Sequence, residues 1–160
     1  MVNIASDVSM VVPAVKFARA LTTASSNTAV YMYLFDHYPQ ITAPELGITG
    51  TSHAMDLLYE FDYTPYLSDA FSYYASVSPQ GDVQLKDVFR GTLTQFAKTG
   101  DPSRGGAGTP ALWPRYDPRT EQYMAISSSP EVRSRVYAKR VSLWTELVPK
   151  LASGSRRRGR

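Results

Sequence analysis

Apolar and polar residues alternate along this chain in a few short, separable patterns. From about Val11 to Thr23, Val12, Val15, Phe17, Ala18 and Leu21 form an apolar stripe, and Pro13 stands where a helix start tolerates it. The polar stretch from Thr22 to Thr28 leads into Ala29–Phe35, AVYMYLF, which is apolar on both faces. Such a run predicts a strand buried on both sides, as in a parallel sheet covered by helices. It needs neighbours, and no second strand of equal quality stands out. Residues 36–53 carry Pro39, Pro44, Gly47 and Gly50 without periodicity and predict a long loop, a length usually reserved for function.

Asp56 to Phe61, DLLYEF, predicts one or two helical turns, whereas Tyr63 to Gln80 supports no firm assignment. Leu85, Val88, Phe89, Thr92, Leu93 and Phe96 then recur at spacings of three and four, predicting a helix from about Val83 to Lys98. Asp82 can cap its start, and Gly100 with Pro102 marks its end. A glycine-rich loop follows, then a turn and a short strand within WPRYDPRTEQYMAI. The last pattern predicts a helix from Glu131 to Leu151, with Val132, Val136, Leu143, Leu147 and Leu151 on one side and Tyr137, Val141, Trp144 and Val148 beside them. That stripe is wide enough to need burial on two faces. The order helix, strand, loop, helices points to the end of an α/β sheet domain and not to a whole one.

Composition changes this picture little. A hydrophobic content of 43% with 19% charged residues excludes a disordered chain. The net charge of +3 comes from Arg156, Arg157, Arg158 and Arg160, without which the body stands at −1, so no nucleic-acid partner is expected. Residues 153–160, SGSRRRGR, read as a basic disordered tail behind a domain spanning 1–152. The absence of cysteine removes disulfides and thiolate metal sites, and no metal or cofactor is expected. Neither a signal peptide nor a transmembrane segment is expected within these residues, and the compartment stays unknown.

Only two histidines could serve as a proton carrier. His37 follows the expected strand directly and reads as a polar residue closing it. His53 lies in GITGTSHAMDLLYEF, beyond that strand, and in an α/β sheet ligands gather past the carboxyl ends of the strands. By itself this would still leave a solvated or structural histidine as the plainer reading.

Several segments together alter that weighting. VYMYLFDH, then G-x-x-G-x-x-H-A-x-D-L-x-Y-x-F, then QFAKTGDP followed by WPRYDP, and a closing LWTELVPKL occur in this order. The set resembles the type-B carboxylesterase and cholinesterase family over about Asp7 to Ala152, and the match falls at the C-terminal end of that family's catalytic domain. The resemblance implies an α/β fold, the C-terminal part of an α/β-hydrolase with an incomplete sheet made mostly of helices and loops. It implies that His53 is the catalytic base, taking the serine proton during attack and returning it to the leaving alcohol. Family members usually carry glycine after this histidine; Ala54 stands there instead, while Asp56 keeps the acidic residue as a supporting, loop-fixing or helix-capping group.

The family's nucleophile elbow, G-x-S-x-G, does not occur in the chain, nor does an HGG-type oxyanion loop. The expected function is therefore a C-terminal fragment of a serine hydrolase of carboxylic esters that carries the triad histidine without the serine, and that is inactive alone. The alternative is a non-catalytic, neuroligin-type adhesion or binding domain. Met55 occupies the place where cholinesterases put an aromatic that shapes the substrate site, and Val141 the place of a disulfide cysteine in the closing helix. Both departures favour a general carboxylesterase, whose full-length form would take a small carboxylic ester. Dimeric relatives pack the last helix between subunits, so a homodimer through the C-terminal helix and packing within the chain both remain open. Relatives of this kind are often secreted or in the endoplasmic reticulum.

Overall fold

In a computed structural model of the protein, residues 2–25, 27–37, 51, 53–61, 80–104 and 112–157 are described. Most of the long loop expected at 36–53, the unassigned stretch from 63 onward and part of the glycine-rich loop lie outside them. The chain divides into two compact units. One comprises Met1–Met32, Arg115–Tyr123 and Arg133–Arg160, the other Tyr33–Pro114 and Met124–Val132.

The first unit opens with α1 (Val2–Ser6), a π-helical turn (Asp7–Val11) and α2 (Val12–Ala24), which follow one another without leaving the helical region. The wide turn has a local cause. Pro13 has no N–H to give the carbonyl four residues back, and its ring would press on that carbonyl. Widening the turn before it relieves both, and the Val12 N–H reaches back to the Asp7 carbonyl. The same device recurs near the C-terminus, where α5 (Ala138–Ser142), a second π turn (Leu143–Leu147) and α6 (Val148–Arg157) follow in sequence. There Pro149 is the second residue of α6, and the Val148 N–H bonds the Leu143 carbonyl.

Along α2 the buried positions are Val12, Val15 and Ala18. Phe17, expected in the same stripe, points to solvent at 66% exposure. The reason is angular: two residues past Val15 is about 200° around a helix, so only the three-and-four spacing shares a face.

Two ion pairs join parts of this unit that are distant in sequence. Asp7 is buried and accepts hydrogen bonds from the Arg140 guanidinium, with Nε at 2.8 and 2.9 Å and a shorter contact from Nη2. Arg140 also lies over the Tyr137 ring, 4.3 Å from its centroid. Arg19 on α2 meets Glu121, Nε to Oε1 at 2.7 Å. The Glu121 carboxylate also accepts from the Tyr116 hydroxyl at 3.4 Å.

The second unit is organised by strand pairing. β1 (Tyr33–Phe35) pairs in parallel with β2 (Gln122–Ile126), with Tyr33 opposite Met124, Leu34 opposite Ala125 and Phe35 opposite Ile126. β3 (Glu131–Ser134) completes the order β1-β2-β3. A partner for the first strand is therefore encoded in this chain, within the short strand expected in WPRYDPRTEQYMAI, although no second run of equal quality stands out in the sequence. The two-sided burial assigned to Ala29–Phe35 belongs instead to β2, where Met124, Ala125 and Ile126 are at most 1% exposed. β1 is shorter than expected, and Tyr33 and Leu34 are only half-buried.

Two helices cover this core. The short α3 (Asp56–Glu60) buries Leu58 and Tyr59, and α4 (Gln80–Thr99) buries Leu85, Phe89 and Thr92. Thr92 satisfies its hydroxyl on the Val88 carbonyl at 2.6 Å, so it can lie in an apolar stripe. Helix α4 begins before the expected start, which puts Asp82 inside its first turn and not at the cap. Its end is as expected: Gly100 adopts φ 74° and its N–H bonds the Phe96 carbonyl at 2.7 Å.

The helix expected from Glu131 is corrected at its start. Residues 131–134 form β3, all exposed, and the helix begins only at Ala138 after Tyr137 at φ 43°. A spacing of four between Val132 and Val136 fits a helix and an alternating strand equally, so periodicity could not separate them. The serine turn ahead decides it: the Ser127 hydroxyl bonds the Ser129 carbonyl at 2.9 Å, and this short connection returns the chain beside β2. Further on, Val141 is buried, whereas Leu143, Leu147 and Leu151 are 41%, 49% and 64% exposed. The helical backbone runs on to Arg157, through the first residues of the stretch expected to form a disordered tail.

Removing one partner of a buried ion pair strands the other charge. Arg140→Met, which leaves the buried Asp7 carboxylate unpaired, should therefore lower unfolding free energy by about 3 kcal/mol, read from urea denaturation. A loss under about 1 kcal/mol would show that Asp7 finds water instead.

Candidate functional site

Strand β1 ends at Phe35, and the chain beyond it carries both histidines. His37 is buried against aromatic rings, edge-on to Tyr59 with centroids 5.3 Å apart and 6.2 Å from Phe35. That placement matches its reading as the residue closing the strand. Thr51 donates its hydroxyl to the His37 carbonyl at 2.9 Å, across fourteen residues of sequence. This bond ties the far end of the loop to the carboxyl end of the parallel strand. The sequence reading overlooked Thr51, and nothing in its local pattern marks it, because the acceptor is a backbone oxygen on another segment.

His53 follows in the turn that leads to α3, and its side chain is exposed. Ala54 adopts φ 67°, the left-handed region that a Cβ disfavours. The glycine that the family resemblance implies at this place would supply that positive φ without steric cost. Met55 is buried at 5% exposure and stands at the N-cap of α3, with no side-chain cap bond.

Asp56 is the first residue of α3 and does not cap it. Its carboxylate accepts a long contact from the Tyr33 hydroxyl, 3.5 Å from Oδ2, linking α3 to β1. Tyr33 also packs edge-on against Phe89 and Trp113, with centroids 5.5 and 6.0 Å away. Burial, and then the nearby carboxylates of Asp56 and Glu60, push the Tyr33 hydroxyl up to about 12. Burial and the Asp56 charge likewise raise the Glu60 carboxyl, since the two acids lie one helical turn apart. Below the His53 turn, then, sits a phenol held neutral beside two acids. Among the described residues no cluster of three or more His, Asp or Glu side chains could hold a metal ion.

Comparison with known proteins gives this arrangement a context. The profile of the carboxylesterase family matches residues 1–144. The chain is 30% identical to liver carboxylesterase 1F of Rattus norvegicus over 144 residues, covering 90% of this chain and 23% of that protein. It is 31% identical to neuroligin-2 of Homo sapiens over 159 residues, covering 91% of this chain and 18% of that protein. Carboxylesterase 3 of Pongo abelii is 32% identical over 145 residues, covering 89% and 24%. Among solved structures, a Geobacillus stearothermophilus carboxylesterase superposes with a TM-score of 0.56 at 23% identity, covering 76% of this chain and 23% of that one. The fold is thus part of an α/β-hydrolase, and the chain spans about a quarter or less of the length of these relatives.

Two outcomes are expected at the turn. Ala54→Gly should raise stability by roughly 0.5–1 kcal/mol, the relief at positive φ exceeding the added freedom of the unfolded chain; a denaturation midpoint that falls would contradict the strain. Asp56→Asn should ease the ionisation of both Tyr33 and Glu60, moving each back toward its ordinary value. Because the folded Tyr33 titrates above its ordinary value, the stability it contributes is whole below about pH 10 and is lost as pH rises through about 12. Ultraviolet difference titration in which Asp56→Asn leaves the Tyr33 transition in place would refute the coupling.

Proposed function

Since the chain belongs to the carboxylesterase family, we propose that it is the histidine-bearing part of a carboxylic-ester hydrolase and that His53 is its general base. The observation that carries this reading is the Thr51–His37 bond, which holds the loop bearing His53 at the carboxyl end of a parallel strand. Groups that act on a bound ligand collect at that end of an α/β sheet. His53 is exposed there, on a turn held in a left-handed conformation.

In this reading the imidazole accepts the proton of a serine hydroxyl as it attacks the ester carbonyl. It then gives that proton to the departing alkoxide, and in the second half-reaction it activates water against the acyl-enzyme. The serine, the third triad member and the oxyanion donors come from polypeptide other than these residues, since no G-x-S-x-G occurs here. Tyr33 and Asp56 act through the turn by fixing α3 against β1, and Met55 lines the substrate side only in the assembled domain. The exposed Leu143, Leu147 and Leu151 support a homodimer through the C-terminal helix.

A second reading, a non-catalytic domain of the neuroligin kind, is favoured by the missing elbow and by the similarity to neuroligin-2. A fluorophosphonate probe separates the two. The chain by itself should take no label, while the protein extended upstream should be labelled. In that extended protein His53→Gln should cut kcat by a factor on the order of 10⁴–10⁶ with KM little changed. Full turnover in the variant would remove His53 from catalysis, and an unlabelled extended protein would favour the adhesion reading.

A further inference from the structure

The first unit, which does not contain His53, holds a cavity of about 400 Å³ that ester hydrolysis leaves unused. Arg19, Arg119, Arg135 and Lys139 line it, with the carboxylates of Glu121 and Glu146. Two of these cations are already matched, Arg19 by Glu121 at 2.5 Å and Arg119 by Asp117 at 2.8 Å. Arg135 and Lys139 have no ion-pair partner among the described residues, so two unmatched cations face one unmatched carboxylate, Glu146.

The backbone supplies an independent observation. Glu121 and Arg135 both adopt left-handed conformations, φ 51° and 56°, and the Arg135 N–H donates to the Glu121 carbonyl at 2.9 Å. Two strained residues bonded to each other, both lining the cavity, are costly unless the surroundings hold them, and such strain concentrates at ligand sites. Tyr137, at φ 43°, then turns the chain into α5, which carries Lys139.

We propose that this cavity is a binding site for a small oxyanion, a phosphate- or carboxylate-bearing ligand with at least two negative charges, held between the Arg135 guanidinium and the Lys139 ammonium. A guanidinium offers a planar fork that matches two oxyanion oxygens, and an ammonium adds a point charge from another direction. The volume is that of a small-molecule site. The Arg19–Glu121 pair forms a neutral wall that keeps Glu121 from competing for the free cations. Glu146 opposes any anion and limits its affinity.

Isothermal titration of the full chain with pyrophosphate and with citrate, at low salt, tests this. One saturable site is expected. Arg135→Asn, whose asparagine tolerates the left-handed backbone, and Lys139→Gln, on an exposed side chain, should each weaken binding about tenfold. Glu146→Gln should tighten it several-fold, an opposite sign that misfolding would not produce. A variant with the four arginines at 156, 157, 158 and 160 replaced by glutamine should bind as before. Stronger binding of pyrophosphate assigns the ligand to phosphates, and stronger binding of citrate to carboxylates. The proposal is overturned by absence of a saturable site, by binding that survives Lys139→Gln unchanged, or by binding that disappears with the arginine tail.

Discussion

The parallel pairing of Tyr33–Phe35 with Met124–Ile126 is the constraint on which the second unit depends. Parallel strands cannot be joined by a hairpin, because the chain must return to the starting end before it can run alongside itself. A crossover must join the two strands, and α3 and α4 belong to it. Their apolar stripes, Leu58 and Tyr59 on one and Leu85 and Phe89 on the other, cover the core that the pairing creates. Phe35 sits where these elements meet, with Tyr59 5.0 Å and Phe89 5.7 Å away between ring centroids.

The same pairing gives the sheet a carboxyl end, and both histidines follow it in sequence. His37 closes the strand, Thr51 returns to bond its carbonyl, and the turn at His53 follows two residues later. The turn is strained at Ala54, and a helix begins directly after it. Tyr33 and Asp56 link that helix back to β1, so the histidine is presented from a short segment fixed at both ends. Under the function proposed above, such anchoring suits a general base, whose usefulness depends on geometry before it depends on proton affinity.

The first unit solves a different problem. Its helices come from the two ends of the chain and are joined by charge as well as by apolar contact. Asp7 would be costly to bury alone, and Arg140 makes its burial tolerable. The prolines at 13 and 149 each widen the preceding turn without ending the helix, because neither helix is required to stay regular there. Three residues are left-handed, Glu121 just before β2, Arg135 just after β3 and Tyr137 just before α5, and the first two line the cationic cavity.

Local chemistry determined what depends on neighbours in sequence. Spacing of apolar residues located α2, α3 and α4, Gly100 ended α4 as glycine can, and the ordered set of segments that includes QFAKTGDP, WPRYDP and the motif around His53 carried the family resemblance. Tertiary structure decided what depends on residues far apart. The buried strand is β2 and not β1, because burial on both faces is conferred by neighbours and not by composition. Residues 131–134 pair beside β2 although their spacing also fits a helix, since a spacing of four cannot choose between the two. Asp7 with Arg140, Arg19 with Glu121, and Thr51 with the carbonyl of His37 were invisible in the sequence, because a charge or hydroxyl there carries no sign of the partner that will satisfy it.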